Sequence, residues 1–174
     1  MHRIVAGITD LNHHLQAIEQ TPQIYRPPCC PHCGTRVVWN HGHYERKADL
    51  CSRGEASRNP VPILRYWCAA CRRTCSRLPE CIAPRRWYNW GLQQIALSAS
   101  GEPASGCPRP AARTVGRWRD WLEQRARELR FVLSSRFAQL GRQDEGEDGF
   151  WRGVFASLGL SCAMAWCDQE VSVP

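Results

Sequence analysis

The chain has 174 residues, a formal net charge of +7 and 11 cysteines. No run approaches the roughly 20 apolar residues of a membrane span. The first 27 residues lack a signal-peptide pattern. These features predict a cytoplasmic protein, where an odd number of cysteines favours metal ligation or buried thiols over a disulfide framework.

Charge is segregated along the chain. Residues 1–130 carry 20 basic and 10 acidic groups, whereas residues 131–174 carry 3 basic and 6 acidic groups. Arginine supplies 22 of the 23 basic residues, and its guanidinium suits bidentate contacts with phosphate and guanine. Codon bias in a GC-rich genome could explain the arginine excess but not its segregation. The pattern predicts an N-terminal part that meets a polyanion.

Residues 1–26 are predicted to form an N-terminal helical segment. Apolar residues recur at helical spacing from Ile8 to Ile18, and Thr9 or Asp10 could cap the helix. The adjacent histidines His13-His14 are expected to be solvated rather than to bind a ligand.

Residues 27–82 contain two Cys-x-x-Cys pairs, which 34 residues separate. Each pair directs two sulfurs into one tight turn, and two such turns form the tetrahedral four-sulfur site that Zn²⁺ prefers. The predicted structural zinc ligands are Cys30, Cys33, Cys68 and Cys71. Cys29 could replace its neighbour, although only Cys30 has the x₂ spacing. Rubredoxin-like iron or a redox dithiol are alternative uses of the pairs.

The residues between the pairs predict a short antiparallel sheet with the metal at one end. The predicted pieces are a strand from Thr35 to Trp39, a turn at 40–42, a returning strand from His43 to Arg46, a polar loop at 49–60 and a third strand from Val61 to Trp67. We expect the turn histidines His41 and His43 to be hydrogen-bonded rather than ligands. Six further cysteines lack paired spacing and are expected to be small buried residues: Cys51, Cys75, Cys81, Cys107, Cys162 and Cys167.

Residues 83–140 are predicted to form a helical, helix-turn-helix-like region. It comprises a helix over 87–99, a loop over 100–110 and an amphipathic helix that Thr114 caps and that runs to about Leu133.

Arginines are interleaved with aromatic residues around residues 65–90 and recur at 109–119. Cationic side chains neutralise phosphates, and arginines on the first turns of a helix can read guanine in a major groove. The predicted DNA contacts are Arg72, Arg73, Arg85, Arg86, Arg113, Arg117 and Arg119. The alternative is a solvated positive face around an aromatic core, with a packing helix whose surface is charged.

An acidic linker is predicted at 141–149, followed by a helical tail at 150–174 that Gly159 divides. The apolar residues of the tail could dock onto a partner protein or pack against the helical region. Acidic residues are sparse before the linker, and no phosphate loop, nucleophile elbow or His-Glu zinc-protease motif occurs, so we predict no enzymatic activity.

Four segments carry a resemblance to a known family. They are Cys30-Pro-His-Cys33-Gly, His41-Gly-His-Tyr-Glu-Arg46, the run from Arg65 to Pro79, and Arg113-Thr-Val-Gly-Arg-Trp118. Over roughly residues 27–125 the chain resembles zinc-ribbon proteins of bacterial insertion sequences, which are transposase N-terminal regions or stand-alone transposon-linked proteins. The resemblance implies DNA binding at element ends or promoters.

Together these observations predict a small multi-domain α+β protein, with a four-cysteine zinc ribbon followed by a helix-turn-helix-like region. The predicted function is sequence-specific or structure-directed binding of double-stranded DNA, linked to a transposable element. The alternative is an adaptor that docks onto a transposase or the transcription machinery.

Overall fold

A computed structural model describes residues 2–52, 54–98, 106–141 and 146–170. The described residues form four strands: β1 (His2–Val5), β2 (Val38–Arg46), β3 (Val61–Cys68) and β4 (Thr74–Pro79). They also form six α-helices: α1 (Leu11–Gln20), α2 (Trp90–Leu97), α3 (Ala112–Arg136), α4 (Ala138–Gly141), α5 (Glu147–Ser157) and α6 (Leu160–Glu170). The predicted α+β class is confirmed.

The four strands make one mixed sheet in the order β1-β4-β3-β2. The β2–β3 and β3–β4 pairs are antiparallel. The predicted antiparallel sheet included the residues of β2 and β3 but not β4, and β1 adds a parallel strand beside β4, where His2 pairs with Ser76. The N-terminal segment is therefore not only helical. A four-residue strand has too few positions to show a period of two, and only pairing with a distant strand stabilises it.

The predicted turn at Asn40-His41-Gly42 is wrong. Strand β2 continues through these residues, and its register with β3 shifts between Asn40 and His43. Gly42 has a φ of +72°, and its N–H donates to Asn40 Oδ1 at 2.8 Å. Turn-forming residues here produce a bulge instead of a reversal, and a strand at the sheet edge tolerates the interruption.

Of the predicted helix caps Asp10 and Thr114, only Asp10 lies at the start of its helix. Asp10 caps α1 by accepting from the His13 N–H at 2.9 Å, as predicted. Thr114 is not a cap, because its own N–H already donates to Ala111 O at 2.8 Å inside the first turn of α3. Alanines are the best helix formers, so the helix begins earlier, at Ala112.

The expectation that both His13 and His14 are solvated is wrong for His14. Its ring is fully buried, with Nε2 2.8 Å from Pro62 O and Nδ1 2.5 Å from the Tyr25 hydroxyl. Because a carbonyl only accepts, Nε2 carries the proton and Nδ1 accepts from tyrosine. Burial lowers the pKa of His14, against a smaller opposing effect of the carbonyl.

Two main cores lie on either side of β1. One joins α1 to the sheet through side chains such as Ala17, Tyr25 and Tyr66. The other packs α2, α3, α5 and α6 together and also includes Ile4. The Ile4 N–H donates to the buried Asp168 carboxylate of α6 at 2.7 Å. The helical tail is thus packed against the rest of the protein.

The division of the tail at Gly159 is confirmed, because α5 ends at Ser157 and α6 begins at Leu160. Helix α5 already begins at Glu147, inside the predicted acidic linker, whose residues 142–145 lie outside the described residues. Most of the predicted loop at 100–110 also lies outside them. Within the described ranges, every helix is too short or too polar to cross a membrane.

Candidate metal centre and basic surface

The two Cys-x-x-Cys turns have the same backbone hydrogen bonds. In the first turn, Cys30 N donates to Thr35 O at 2.7 Å and Gly34 N donates to Cys30 O at 2.9 Å. In the second, Cys68 N donates to Arg73 O at 3.0 Å and Arg72 N donates to Cys68 O at 2.9 Å. Each bond of the first turn has a counterpart of the same sequence separation in the second turn. The sequence therefore builds the same sulfur-presenting loop twice.

The four predicted cysteines converge. Their sulfur atoms all lie within 4.8 Å of one another, with Cys30 Sγ 3.7 Å from Cys71 Sγ and Cys33 Sγ 3.6 Å from Cys68 Sγ. A tetrahedral ion with metal–sulfur bonds of 2.3 Å would place its ligands about 3.8 Å apart. The cluster is therefore close enough to bind a metal ion, and four thiolates would close its coordination sphere.

The groups around the sulfurs favour a thiolate at Cys68 but not at Cys33. A hydrogen bond from the backbone of Thr35 lowers the pKa of Cys33, but burial and hydrogen bonds with the three neighbouring thiols together raise it to about 12. The backbone N–H of His32 lies 3.4 Å from Cys30 Sγ, and the backbone of Cys71 hydrogen-bonds the sulfur of Cys68. The second interaction, with smaller effects from neighbouring thiols, lowers the pKa of Cys68 to about 7. Deprotonated thiols are the form that binds metal. His41 and His43 are outside the four-cysteine group.

Arg72 occupies a backbone position that suits glycine. Its φ is +57°, and Gly34 at the equivalent place in the first turn has a φ of +73°. Left-handed backbone is unfavourable for residues that carry a Cβ atom. The matching turns thus impose strain on Arg72 that Gly34 avoids.

The predicted DNA-contacting arginines fall into three places. Arg72 and Arg73 are exposed beside the second cysteine turn, and Arg85 and Arg86 lie between the sheet and α2, with Arg86 half-buried. The other three are exposed on the first turns of α3. At about 100° per residue, Arg113 and Arg117 share a face of α3, whereas Arg119 lies about 120° from Arg113 and about 160° from Arg117, towards the other side of the helix.

A cleft of about 680 Å³ lies on the sheet beside residues 85–87. It contains five cationic residues and, among the described residues, no aspartate or glutamate. Its lining is Tyr44, Arg46, Lys47, Arg65, Thr74, Ser76, Arg85, Arg86 and Trp87. We call this the basic cleft.

Hydrogen bonds fix one wall of the basic cleft. The Arg46 guanidinium donates to Ala83 O at 3.3 Å and to Arg86 O at 2.6 Å, which ties β2 to the segment after β4. Burial lowers the pKa of both Arg46 and Arg86. Sequence reasoning did not predict Arg46 or Lys47 as binding residues, because both are distant in sequence from Arg85 and only the sheet brings them together.

One expectation about the cysteines outside the four-cysteine group is wrong. Cys51 and Cys107, which we expected to be separate buried thiols, form a disulfide that joins the loop after β2 to the segment before α3. Their separation of 56 residues gives no spacing pattern from which the pair could be predicted. Cys75 and Cys167 are buried thiols, as expected, whereas Cys81 and Cys162 are only partly buried.

The fold and the cluster define an α+β protein with a four-cysteine site able to hold a metal ion. A family model described as a domain of unknown function (DUF6431) matches residues 30–118. This match covers half of the chain, including the whole cysteine cluster and the start of α3, so the protein belongs to the DUF6431 family. No curated protein and no solved structure matches the chain.

Proposed function

We propose that this protein binds double-stranded DNA and that a structural zinc ion, held by the four cysteines, supports the binding surface as a zinc ribbon. The observation that carries this proposal is the set of exposed arginines beside the second cysteine turn, at the segment before α2 and on the first turns of α3. Thr74, which follows Arg73, lines the basic cleft, and Arg86 lines both that cleft and a small cavity that Trp118 of α3 also lines. Arg117 and Arg119 flank Trp118 in sequence.

The helical part of this surface is rigid enough to present arginines. Trp118 is buried, and its ring meets Tyr88 edge-on at a centroid distance of 5.4 Å. This contact fixes α3 against the segment that carries Arg85 and Arg86. A helix anchored on its apolar side and cationic on its first turns suits entry into a major groove. The helix-turn-helix assignment itself stays a proposal, because 14 residues separate α2 from α3, whereas a tight turn has about 3–4.

Zinc is the metal that four convergent thiolates favour, and a closed site assigns it a structural role. We expect one zinc per chain in the purified protein. Replacing Cys68 with serine should abolish stoichiometric zinc and lower the thermal unfolding temperature, because metal binding contributes to folding. Cys162→Ser, which changes a thiol outside the cluster, is the control. Equal zinc content in both variants would contradict the assignment.

Duplex binding is tested by fluorescence anisotropy with duplexes selected from a random pool. If the seven predicted arginines contact phosphates, affinity should fall about 10³- to 10⁴-fold between 50 and 200 mM salt, since each contact contributes about 0.9 to the log–log slope. Arg117→Ala should weaken binding, whereas Arg127→Ala, an exposed change about 15 Å further along α3, should not. A duplex affinity that does not change between 50 and 200 mM salt would refute the proposal.

The link to a transposable element rests on the family resemblance of the cysteine and arginine segments. Its test is whether genes for this protein lie beside transposase genes or between inverted repeats. The adaptor alternative meets a structural difficulty, because Phe150, Trp151 and Met164 of the tail are buried in the helical core. An adaptor would have to use another surface.

A further inference from the structure

We propose that the exposed half of the sheet, together with the basic cleft, is a binding site for single-stranded nucleic acid. Bases would stack on Trp87 and Trp39, and phosphates would meet the cations of the cleft. The site is separate from the duplex-contacting turns of α3. It does not depend on duplex binding, although Arg85 and Arg86 would serve both.

One face of the sheet is only partly covered. In the second half of β3, Leu64, Tyr66 and Cys68 are buried, whereas Arg65 and Trp67 on the opposite face are half-exposed. Alternation along a strand places these two sets on opposite faces. The buried set packs towards α1. The set with Arg65 and Trp67 therefore forms an open surface that leads into the cleft.

Strand pairing extends this open surface sideways. Trp67 pairs with Trp39 of β2 on one side and with Thr74 of β4 on the other. Arg65 pairs with Ser76 of β4. Thr74, Ser76 and Arg65 all line the basic cleft. The pair Trp39–Trp67 lies at the cysteine end of the sheet. The next pair on the same face, Arg65–Ser76, supplies a cation and a hydroxyl group.

Two aromatic rings on this surface are unusually open. Trp39 is 56% exposed and Trp87 is 64% exposed, so each offers a ring face to a ligand. Neither ring belongs to the hydrophobic cores. Base–aromatic stacking needs an unpaired base, because the bases of a duplex are already stacked on one another. Exposed tryptophan beside cations therefore favours a single strand over a duplex.

The charges and size of the cleft fit the same ligand. Arg46, Lys47, Arg65, Arg85 and Arg86 surround it without a lining carboxylate among the described residues. Ion pairs between described side chains occur elsewhere, on α3 and α6. A volume of about 680 Å³ lies in the range of sites that enclose small ligands. A nucleotide phosphate would supply the negative charge that the described lining of the cleft lacks.

The test is anisotropy with labelled 12-residue oligothymidine and oligouridine. We expect both to bind at low salt, and five phosphate contacts would reduce affinity about 100-fold between 50 and 200 mM salt. Trp87→Ala should weaken binding about 5- to 160-fold, the range of one lost stacking contact. Trp87→Phe should retain most of the affinity. A preference between oligodeoxyuridine and oligouridine, which differ only at the 2′ position, would identify the sugar that the site accepts.

Phe131→Ala is the matched control, because Phe131 is a 77% exposed ring beside arginines on α3, away from the cleft. It should leave oligonucleotide binding unchanged. Arg117→Ala should weaken duplex binding but leave oligothymidine binding unchanged. Failure of the duplex proposal can therefore be distinguished from failure of the single-strand proposal. Absence of oligonucleotide binding at 50 mM salt, or binding that Trp87→Ala leaves intact in a protein with unchanged thermal unfolding, would overturn the inference.

Discussion

Replacement of Arg72 by glycine should stabilise the protein. Left-handed backbone costs a residue with a Cβ atom about 1–2 kcal/mol, and the φ of +57° places Arg72 there. Glycine would remove that cost but would lose about 0.5–1 kcal/mol through its freer unfolded chain. The net gain is about 0.5–1 kcal/mol, which corresponds to a rise of about 1–4 °C in Tm for a chain of this length.

The first cysteine turn provides the reciprocal experiment. Gly34→Ala should destabilise the protein by a similar amount, because a Cβ atom there meets nothing within 4 Å and only the backbone conformation, with a φ of +73°, opposes it. Arg72→Ala should be neutral, since alanine keeps the same backbone cost as arginine.

Thermal unfolding followed by circular dichroism, on samples with equal measured zinc content, would compare the three variants. The reasoning would be refuted if Arg72→Gly were no more stable than Arg72→Ala. Both Arg72 variants lack the guanidinium, so each should reduce the salt slope of duplex binding by about one. Stability and DNA contact are thereby measured independently at one position.

Three further predictions concern the interior. Because the folded state lowers the pKa of His14, the unfolded chain gains a proton first as pH falls below about 6.5, so the free energy of unfolding should decrease there; denaturant titrations of His14→Gln should show a weaker pH dependence. Asp168→Ala should cost about 1–3 kcal/mol, because it leaves the buried Ile4 N–H without its 2.7 Å acceptor; an unchanged urea midpoint would contradict this. Loss of the disulfide in the Cys51→Ser, Cys107→Ser double variant should cost up to about 4 kcal/mol for a loop of this length, and mass spectrometry of alkylated protein would first establish that the bond forms.

Local patterns predicted the elements that depend on short-range chemistry. The x₂ spacing of the cysteines was sufficient to predict the two sulfur-presenting turns, because each turn brings its own two sulfurs together. Pairing of β2 with β3 then brings the two turns to one place. Asp10 was predictable as a cap for the same reason, since its partner is three residues away. The break at Gly159 also follows from a single residue with a φ of +75°.

Features that depend on distant residues needed the tertiary structure. Strand β1 exists because β4 pairs with it, and His14 is buried because Pro62 and Tyr25 meet it from other parts of the chain. The basic cleft likewise combines β2, β3, β4 and the segment at 85–87. The sequence by itself determined the metal-binding turns and the excess of positive charge, which are properties of neighbouring residues. Only the folded sheet decided which cations share a cleft and which tryptophans remain exposed, because strand pairing sets distances that sequence separation does not contain.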